Sequence, residues 1–273
     1  LRAGAALCYR KQHREPPIDR DVRVLHRDPA LLVVEKPAHL PVHGDGAFVR
    51  HTLIHLLRHE LGHPEARIVH RLDRETSGLL VVARTDAARA ALERQFVAGS
   101  VGKSYLAVVH GAVERDFVCD APIGRATTSS ITLRRAAAAN ARDPKPASTR
   151  FTVLERGRDR TLLGCEPATG RTHQIRVHLE HVGHPLLGDK LYGRTDAEYL
   201  AFVARVKAGG DPREVPPGEP PRQLLHAAAL AFRHPDDERA LRFESAAPAE
   251  FGAWLARSSQ GDSARPTGQG QQG

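Results

Sequence analysis

The sequence predicts an α+β domain built on a largely antiparallel or mixed sheet. Strand-like and helix-like segments are interspersed without the strict alternation of a doubly wound fold. Several neighbouring strand candidates are joined by short turns, and no fixed period repeats along the chain. At 273 residues the chain can bury a sizeable core. Residues 1–21 read as a linker or the stub of a lost module, 22–257 as the main domain, and 258–273 as a disordered tail rich in Gly, Gln, Ser and Pro.

The elements follow in order. Residues 22–26 and 31–35 form a strand pair joined by Arg-Asp-Pro-Ala, a turn by composition. A helix is expected from His51 to Leu61, with Leu53, Ile54, Leu57 and Leu61 at helical spacing and Gly62 and Pro64 as its stop. Residues 66–69 and 78–83 are short strands. Thr85 or Asp86 caps a helix reaching Val97, with Ala88, Leu92 and Phe96 on one face. Strands follow at 103–111, 148–154 and 161–166, separated by a stretch, 121–148, that reads as an exposed loop or hairpin tip. Thr172 suits the N-cap of a helix carrying Ile175, Leu179 and Val182, which Gly183 and Pro185 end. A Pro-rich surface excursion spans 209–221. Strands at 226–232 and 241–243 and a helix at 249–257 close the domain.

The basic groups outnumber the acidic by 40 to 32, a net charge of +8 with pI near 9.8. That balance suits a polyanion, nucleic acid before membrane, since no basic amphipathic helix stands out. Aromatic residues make up 5% of the chain, too few for the generic stacking platform of a single-strand binder. Cys8, Cys119 and Cys165 are scattered, which speaks against a disulfide framework or a cysteine-rich zinc site and for a reducing, cytoplasmic setting. No apolar run approaches the ~20 residues of a membrane span.

The densest chemistry lies at residues 70–80, His-Arg-Leu-Asp-Arg-Glu-Thr-Ser-Gly-Leu-Leu. Asp73 sits between Arg71 and Arg74 on a loop pinned by two core strands. Nearby cations favour the ionised carboxylate, so Asp73 fits a nucleophile rather than a proton donor. On spacing alone a surface ion-pair cluster fits equally well. The second dense motif is Gly-Arg-Thr-His-Gln-Ile-Arg at 170–176. There Arg171 would stand just outside a helix N-terminus and add its charge to the positive end of the dipole.

These blocks together resemble the RluA-type pseudouridine synthases. The resemblance runs through Leu-Leu-Val-Val-Glu-Lys-Pro at 31–37, Leu-Pro-Val-His at 40–43 and the loop at 70–80. It continues through Lys-Ser-Tyr at 103–105, residues 170–176, and Gly-His-Pro-Leu-Leu-Gly-Asp at 183–189 with Leu-Tyr-Gly at 191–193. It covers roughly residues 20–255 in the family's order, and it implies that residues 1–21 are a linker or the remnant of an amino-terminal RNA-binding module. It implies the pseudouridine synthase fold, with helices and loops around a central RNA-binding cleft, and isomerisation of uridine in ribosomal or transfer RNA, with no cofactor and no metal. Asp73 would be the catalytic aspartate, attacking either the ribose carbon or the uracil ring. Tyr105 would pack against the uracil, with help in proton removal as a second role. Arg171 would pair with Asp73, Arg71 would hold the flipped nucleotide or fill its gap, and Ile175 would be the apolar wall under the base. His70, Thr172 and His173 count as further substrate-contacting positions. The resemblance also implies a monomer with no membrane and no obligatory protein partner. His39 stands where a glycine is common in the family.

Two other classes compete. One is a catalytically silent RNA-binding or ribosome-assembly factor on the same scaffold. The other is a metal-dependent hydrolase using the histidines at 51, 55 and 59 or those around 173–184, although His51, His55 and His59 have no carboxylate at matching spacing.

Overall fold

A computed structural model of the chain describes residues 15–44 and 46–257. The expected segments 1–14 and 258–273 lie outside the described residues. Glu15 to Asp21 are anchored to the domain. The Glu15 carboxylate accepts hydrogen bonds from the backbone N–H groups of Val49, Arg50 and His51, and Ile18 packs on the core.

The main sheet has ten strands. Its path runs β1 (Arg23–Arg27), β2 (Leu31–Lys36), β4 (Ser77–Ala83), β12 (Leu225–Arg233), β5 (Gly102–His110), β11 (Arg160–Pro167), β10 (Thr149–Arg156) and β6 (Phe117–Cys119). β3 (Arg67–Ile68) pairs with β4, and β13 (Ala240–Glu244) pairs with β12. Every pairing is antiparallel except β4 with β12, which run parallel at Ser77–His226 and Gly78–Ala227. The mixed, largely antiparallel sheet expected from the short turns is therefore present.

β2 and β4 read as unbroken apolar runs because both faces are covered. Leu32, Val34, Leu80 and Val82 point to one side, under α1 (Leu53–His55), with Leu53, Leu56 and Leu57. Leu31, Val33, Leu79 and Val81 point to the other, where α2 (Asp86–Val97) supplies Ala88 and Leu92. The Thr85 hydroxyl caps α2 by accepting from Ala88 N, as its sequence position predicts. After its third residue α1 continues as a π-helical turn over Leu56–Glu60. The extra residue per turn rotates Leu61 out to 39% exposure, while Leu56, which precedes it, packs in the core beside Leu53 and Leu57.

Two regions depart from the sequence reading. Residues 121–148 are not a bare loop: they form a second, three-stranded antiparallel sheet, β8 (Arg135–Ala137), β7 (Ile123–Ala126) and β9 (Ala141–Lys145), in that order. β9 carries Pro144, which an edge strand tolerates. The second is α4 (Asp196–Lys207), opened by Thr195 and Glu198 in a reciprocal capping box.

α3 (Gln174–His181) is clamped between the two sheets. Ile175 and Leu179 pack on Phe151, Leu163 and Cys165 of the large sheet, while Val177 meets Ile123 and Ala137 of the small one. A helix wedged this way can hold charged side chains rigidly at its open end. Its carboxyl end closes as a Schellman turn, with Gly183 at φ +84° donating to Glu180 O and His184 N donating to Leu179 O. α5 (Ala249–Ala256) packs Phe251 and Leu255 against Val108 and Leu224.

Candidate active site

Asp73 lies in the loop between β3 and β4, where Thr76 N closes a tight turn onto Asp73 O. The turn leads directly into Gly78. At φ +108°, a Cβ on Gly78 would stand 2.2 Å from Ala227 O, so only glycine lets β4 approach β12. Buried polar contacts hold the loop from behind. Lys36, fully buried, donates to the carbonyls of Pro37, Leu40 and Arg74 at 2.8, 3.0 and 3.3 Å. Burial and the Arg222 charge pull its pKa down to about 7. Glu75 accepts from Lys190 at 2.8 Å and Arg74 at 2.7 Å. Burial raises the Glu75 pKa, but those two cations outweigh it and hold it near about 2. Gln223 donates to Thr76 Oγ1 at 2.8 Å.

The side chain facing Asp73 is Arg176. Its Nη1 donates to Asp73 Oδ2 at 2.7 Å, and its Nε and Nη2 fork onto Asp189 at 2.7 and 2.9 Å. Asp189 is completely enclosed, and its Oδ1 also accepts from the backbone of Leu191 and Tyr192. The guanidinium lies 4.8 Å above the Tyr192 ring. Two carboxylates and an aromatic face thus fix one arginine with no rotational freedom.

His173 takes the N-cap position of α3 at φ +58°, a left-handed conformation that histidine tolerates better than most residues. Its Nε2 is 3.8 Å from Asp73 Oδ1, and its Nδ1 is 2.8 Å from Tyr192 Oη, which itself accepts from Arg135 N. The buried phenol therefore donates its proton to Nδ1, leaving Nε2–H directed at Asp73. Burial and the neighbouring Arg176 lower the His173 pKa to about 4.

Burial pushes the Asp73 pKa up. His173, Arg176 and hydrogen bonds from Arg176 and Gln223 more than offset that, and the pKa falls to about 2. Because His173 is neutral at pH 7, the full charge that keeps Asp73 ionised is that of Arg176. The Asp73 side chain remains 26% exposed, accessible from a cleft of about 380 Å³.

The other expected positions divide. Arg71 is exposed and lines the same cleft. Tyr105, on β5, lies where two core clusters meet, one of which also holds Ile175. Burial raises its pKa, and the charge of Asp73 raises it further, so the phenol is neutral. Ile175 is 6% exposed. Arg171 does not pair with Asp73: its Nε donates to Pro146 O at 2.9 Å, on the outer side of the motif. Thr172 is exposed and does not cap α3, because the αL residue His173 displaces the helix start by one position. His70 faces away from the cleft. Its Nε2 accepts from Val81 N at 3.1 Å, its ring stacks on Phe96 at 4.4 Å, and burial lowers its pKa to about 3. It is a packing residue.

The sequence reading passed over Arg176, although the motif contains it three residues after His173, the spacing that puts both on one helix face. Gln223 and Tyr192 carried no comparable signal. His51 bonds Pro16 O, and the His55 ring lies 4.5 Å from that of His59, tilted by 40°. Among the described residues no group of three or more His, Cys, Asp or Glu could hold a metal ion.

An ionised carboxylate is thus gripped from within the protein and opens on a cleft with cations at its rim, an arrangement suited to a nucleophile and to an anionic ligand. The family described as RNA pseudouridylate synthase matches residues 30–181. Ribosomal large subunit pseudouridine synthase D of Nitrosomonas europaea is 43% identical over 238 residues, covering 86% of this chain and 64% of that protein. The protein of the same name from Zymomonas mobilis is 35% identical over 250 residues, covering 89% of this chain and 74% of that one. Among solved structures, Human RNA Pseudouridylate Synthase Domain Containing 1 superposes with a TM-score of 0.67 at 29% identity, covering 89% of each chain. This chain belongs to the RNA pseudouridylate synthase family, isomerases that convert uridine to pseudouridine in RNA. It spans about two thirds of the length of the Nitrosomonas relative, 64%.

Proposed function

We propose that the chain isomerises uridines of ribosomal RNA with Asp73 as nucleophile. The observation that carries this is the Asp189–Arg176–Asp73 chain, which keeps one partly exposed carboxylate ionised and aimed into a cleft. Asp73 attacks the ribose carbon or the uracil ring. The bond from the ribose carbon to N1 breaks, the uracil turns within the cleft, C5 bonds to that same ribose carbon, and the bond to Asp73 breaks to free the carboxylate. The C5 proton leaves and N1 gains one, so the product has the composition of the substrate and no oxidant or reductant is required. The guanidinium of Arg176 balances the carboxylate while it is out of water, where an unpaired charge would be costly.

Tyr105, as a neutral phenol, offers an aromatic face to the base, and Ile175 behind it supplies an apolar wall. Arg71 contacts the RNA from the rim and steadies the extruded nucleotide against the few kcal/mol that unstacking costs. The names of the relatives from Nitrosomonas and Zymomonas support ribosomal over transfer RNA. Cys119 and Cys165 are free and buried, and among the described residues no helix is long and apolar enough to cross a membrane, which fits a cytoplasmic site of action.

The test is Asp73→Asn with unmodified large-subunit ribosomal RNA as substrate. The expected outcome is loss of pseudouridine formation with RNA affinity kept within a few-fold. Modification persisting in that variant would remove Asp73 from the chemistry. A wild-type chain that binds but never modifies would favour the RNA-binding factor instead.

A further inference from the structure

α4 carries Tyr199, Phe202, Val203 and Val206 at the i, i+3, i+4, i+7 spacing that ordinarily seals a helix onto a core. Here no residue of α4 is buried. Those four side chains instead line the cleft above Asp73, facing Val42 and Phe48 of the loop after β2. The Tyr199 and Phe202 rings lie 6.5 Å apart and tilted by 37°, with the Lys190 ammonium 5.8 Å from the Phe202 ring. Arg71, Arg74 and Lys207 stand around the same opening. Much of this cleft is therefore an apolar, aromatic wall under a cationic rim, built by a helix whose apolar face is only half-buried, with Tyr199 packed in part against the core cluster of Leu191 and Tyr192.

We infer that this α4 face is a second base-binding subsite, which stacks a nucleobase adjacent to the uridine being isomerised. The inference rests on the proposed action at Asp73 and adds the wall that reads the flanking nucleotide. Drawing one base out of an RNA stack exposes the face of its neighbour to water, and an aromatic wall next to the extraction point covers it. The cations suit the phosphates on either side of that base. Tyr199 and Phe202 come from a segment far in sequence from the Asp73 loop, so they select the RNA context without taking part in bond making.

The test uses unmodified large-subunit ribosomal RNA and a short hairpin of it containing the mapped uridine, with 2-aminopurine placed on either side of that uridine. Tyr199→Ala and Phe202→Leu are compared with wild type, with Tyr199→Phe as the variant that keeps the ring. Folding is checked by circular dichroism, since neither side chain is buried. Expected are quenching of 2-aminopurine at one flanking position by wild type and Tyr199→Phe, its loss in Tyr199→Ala and Phe202→Leu, and about a ten-fold rise in Kd for those two, the size of one lost base–aromatic stack. The single-turnover rate at saturating enzyme should fall far less than the affinity. Unchanged quenching, affinity and site choice in folded variants would overturn the subsite. So would a shift from dimer to monomer in sedimentation with RNA binding intact, which would make the face a self-association surface. If wild type forms no pseudouridine on either RNA, the proposed activity fails, whereas quenching by that same protein still reports on the subsite.

Discussion

Asp189 grips Arg176 through a two-pronged fork at 2.7 and 2.9 Å and leaves that arginine one nitrogen, which it spends on Asp73. The loop at 70–76 and the segment at 183–193 are thus coupled through a single buried guanidinium. The arrangement is expensive in desolvation, and its return is geometry: Asp73 has one orientation and remains ionised.

Arg176 and Arg171 lie five residues apart in one motif and should behave oppositely. Arg176→Lys keeps the charge but cannot bridge two carboxylates, and a fall in the single-turnover rate of about 100-fold or more is expected, in line with loss of a preorganised charge contact. Arg171→Ala, whose side chain reaches only Pro146 O, should leave that rate unchanged. Rapid-quench assays of both variants under identical saturating conditions decide it.

Asp189→Asn should weaken fold and rate together. Removing one charge of a buried pair costs roughly 3–5 kcal/mol, visible as a lower midpoint in urea unfolding. Where the variant is still folded, its rate should fall because Arg176 is free to swing away from Asp73. A folded Asp189→Asn protein with the wild-type rate would contradict this positioning role.

Acid should unfold the protein through its histidines before it silences Asp73. The pKa values of His39, His70, His173 and His226 are lowered to about 4, 3, 4 and 4, burial being the leading cause for each. The folded state resists protons that the unfolded chain accepts below about 6.5. The stability tied to the four neutral rings is complete above that pH and drains away as it falls toward about 4, at up to about 1.4 kcal/mol per pH unit for each. Asp73 stays ionised throughout this window. Activity measured from pH 7 to 4 should therefore track the folded fraction from circular dichroism, with no separate inflection from the carboxylate.

Gly78→Ala should be among the most damaging small substitutions. The new methyl would sit 2.2 Å from Ala227 O at a backbone angle that alanine resists. The parallel β4–β12 contact must open, carrying the Asp73 turn with it. A loss above about 3 kcal/mol is expected from strain and lost packing, whereas Ala at Gly252, which has open space around it and sits within a helix, should raise stability by up to about 1 kcal/mol. Equal midpoints for the two variants in thermal unfolding would refute the account.

His39 shows how a departure from the family pattern becomes intelligible in three dimensions. It adopts φ +58°, and its buried Nδ1 has no hydrogen-bond partner among the described residues. A glycine, the residue that the resemblance leads one to expect there, suits that backbone better.

Much of this molecule was determined locally by its sequence. The unbroken apolar runs of β2 and β4, the Thr85 cap, and the Gly183 stop all act within a few residues, so their signals are written in consecutive letters. The importance of the loop at 70–80 was legible for the same reason: one carboxylate, two arginines and a Thr-Ser-Gly turn lie side by side. What only the tertiary structure decided were relations across long stretches of chain. Which arginine meets Asp73 depends on α3 being wedged between two sheets, with His173 in the left-handed region turning Arg171 outward and Arg176 inward. The small sheet at 123–145 was obscured by prolines and an alanine run, which an edge strand and a short pairing accommodate once α3 covers them. The half-buried apolar face of α4 is the sharpest case. Its spacing predicts burial, yet the helix packs beside an open cleft, because periodicity encodes which side chains share a face and not what that face will meet.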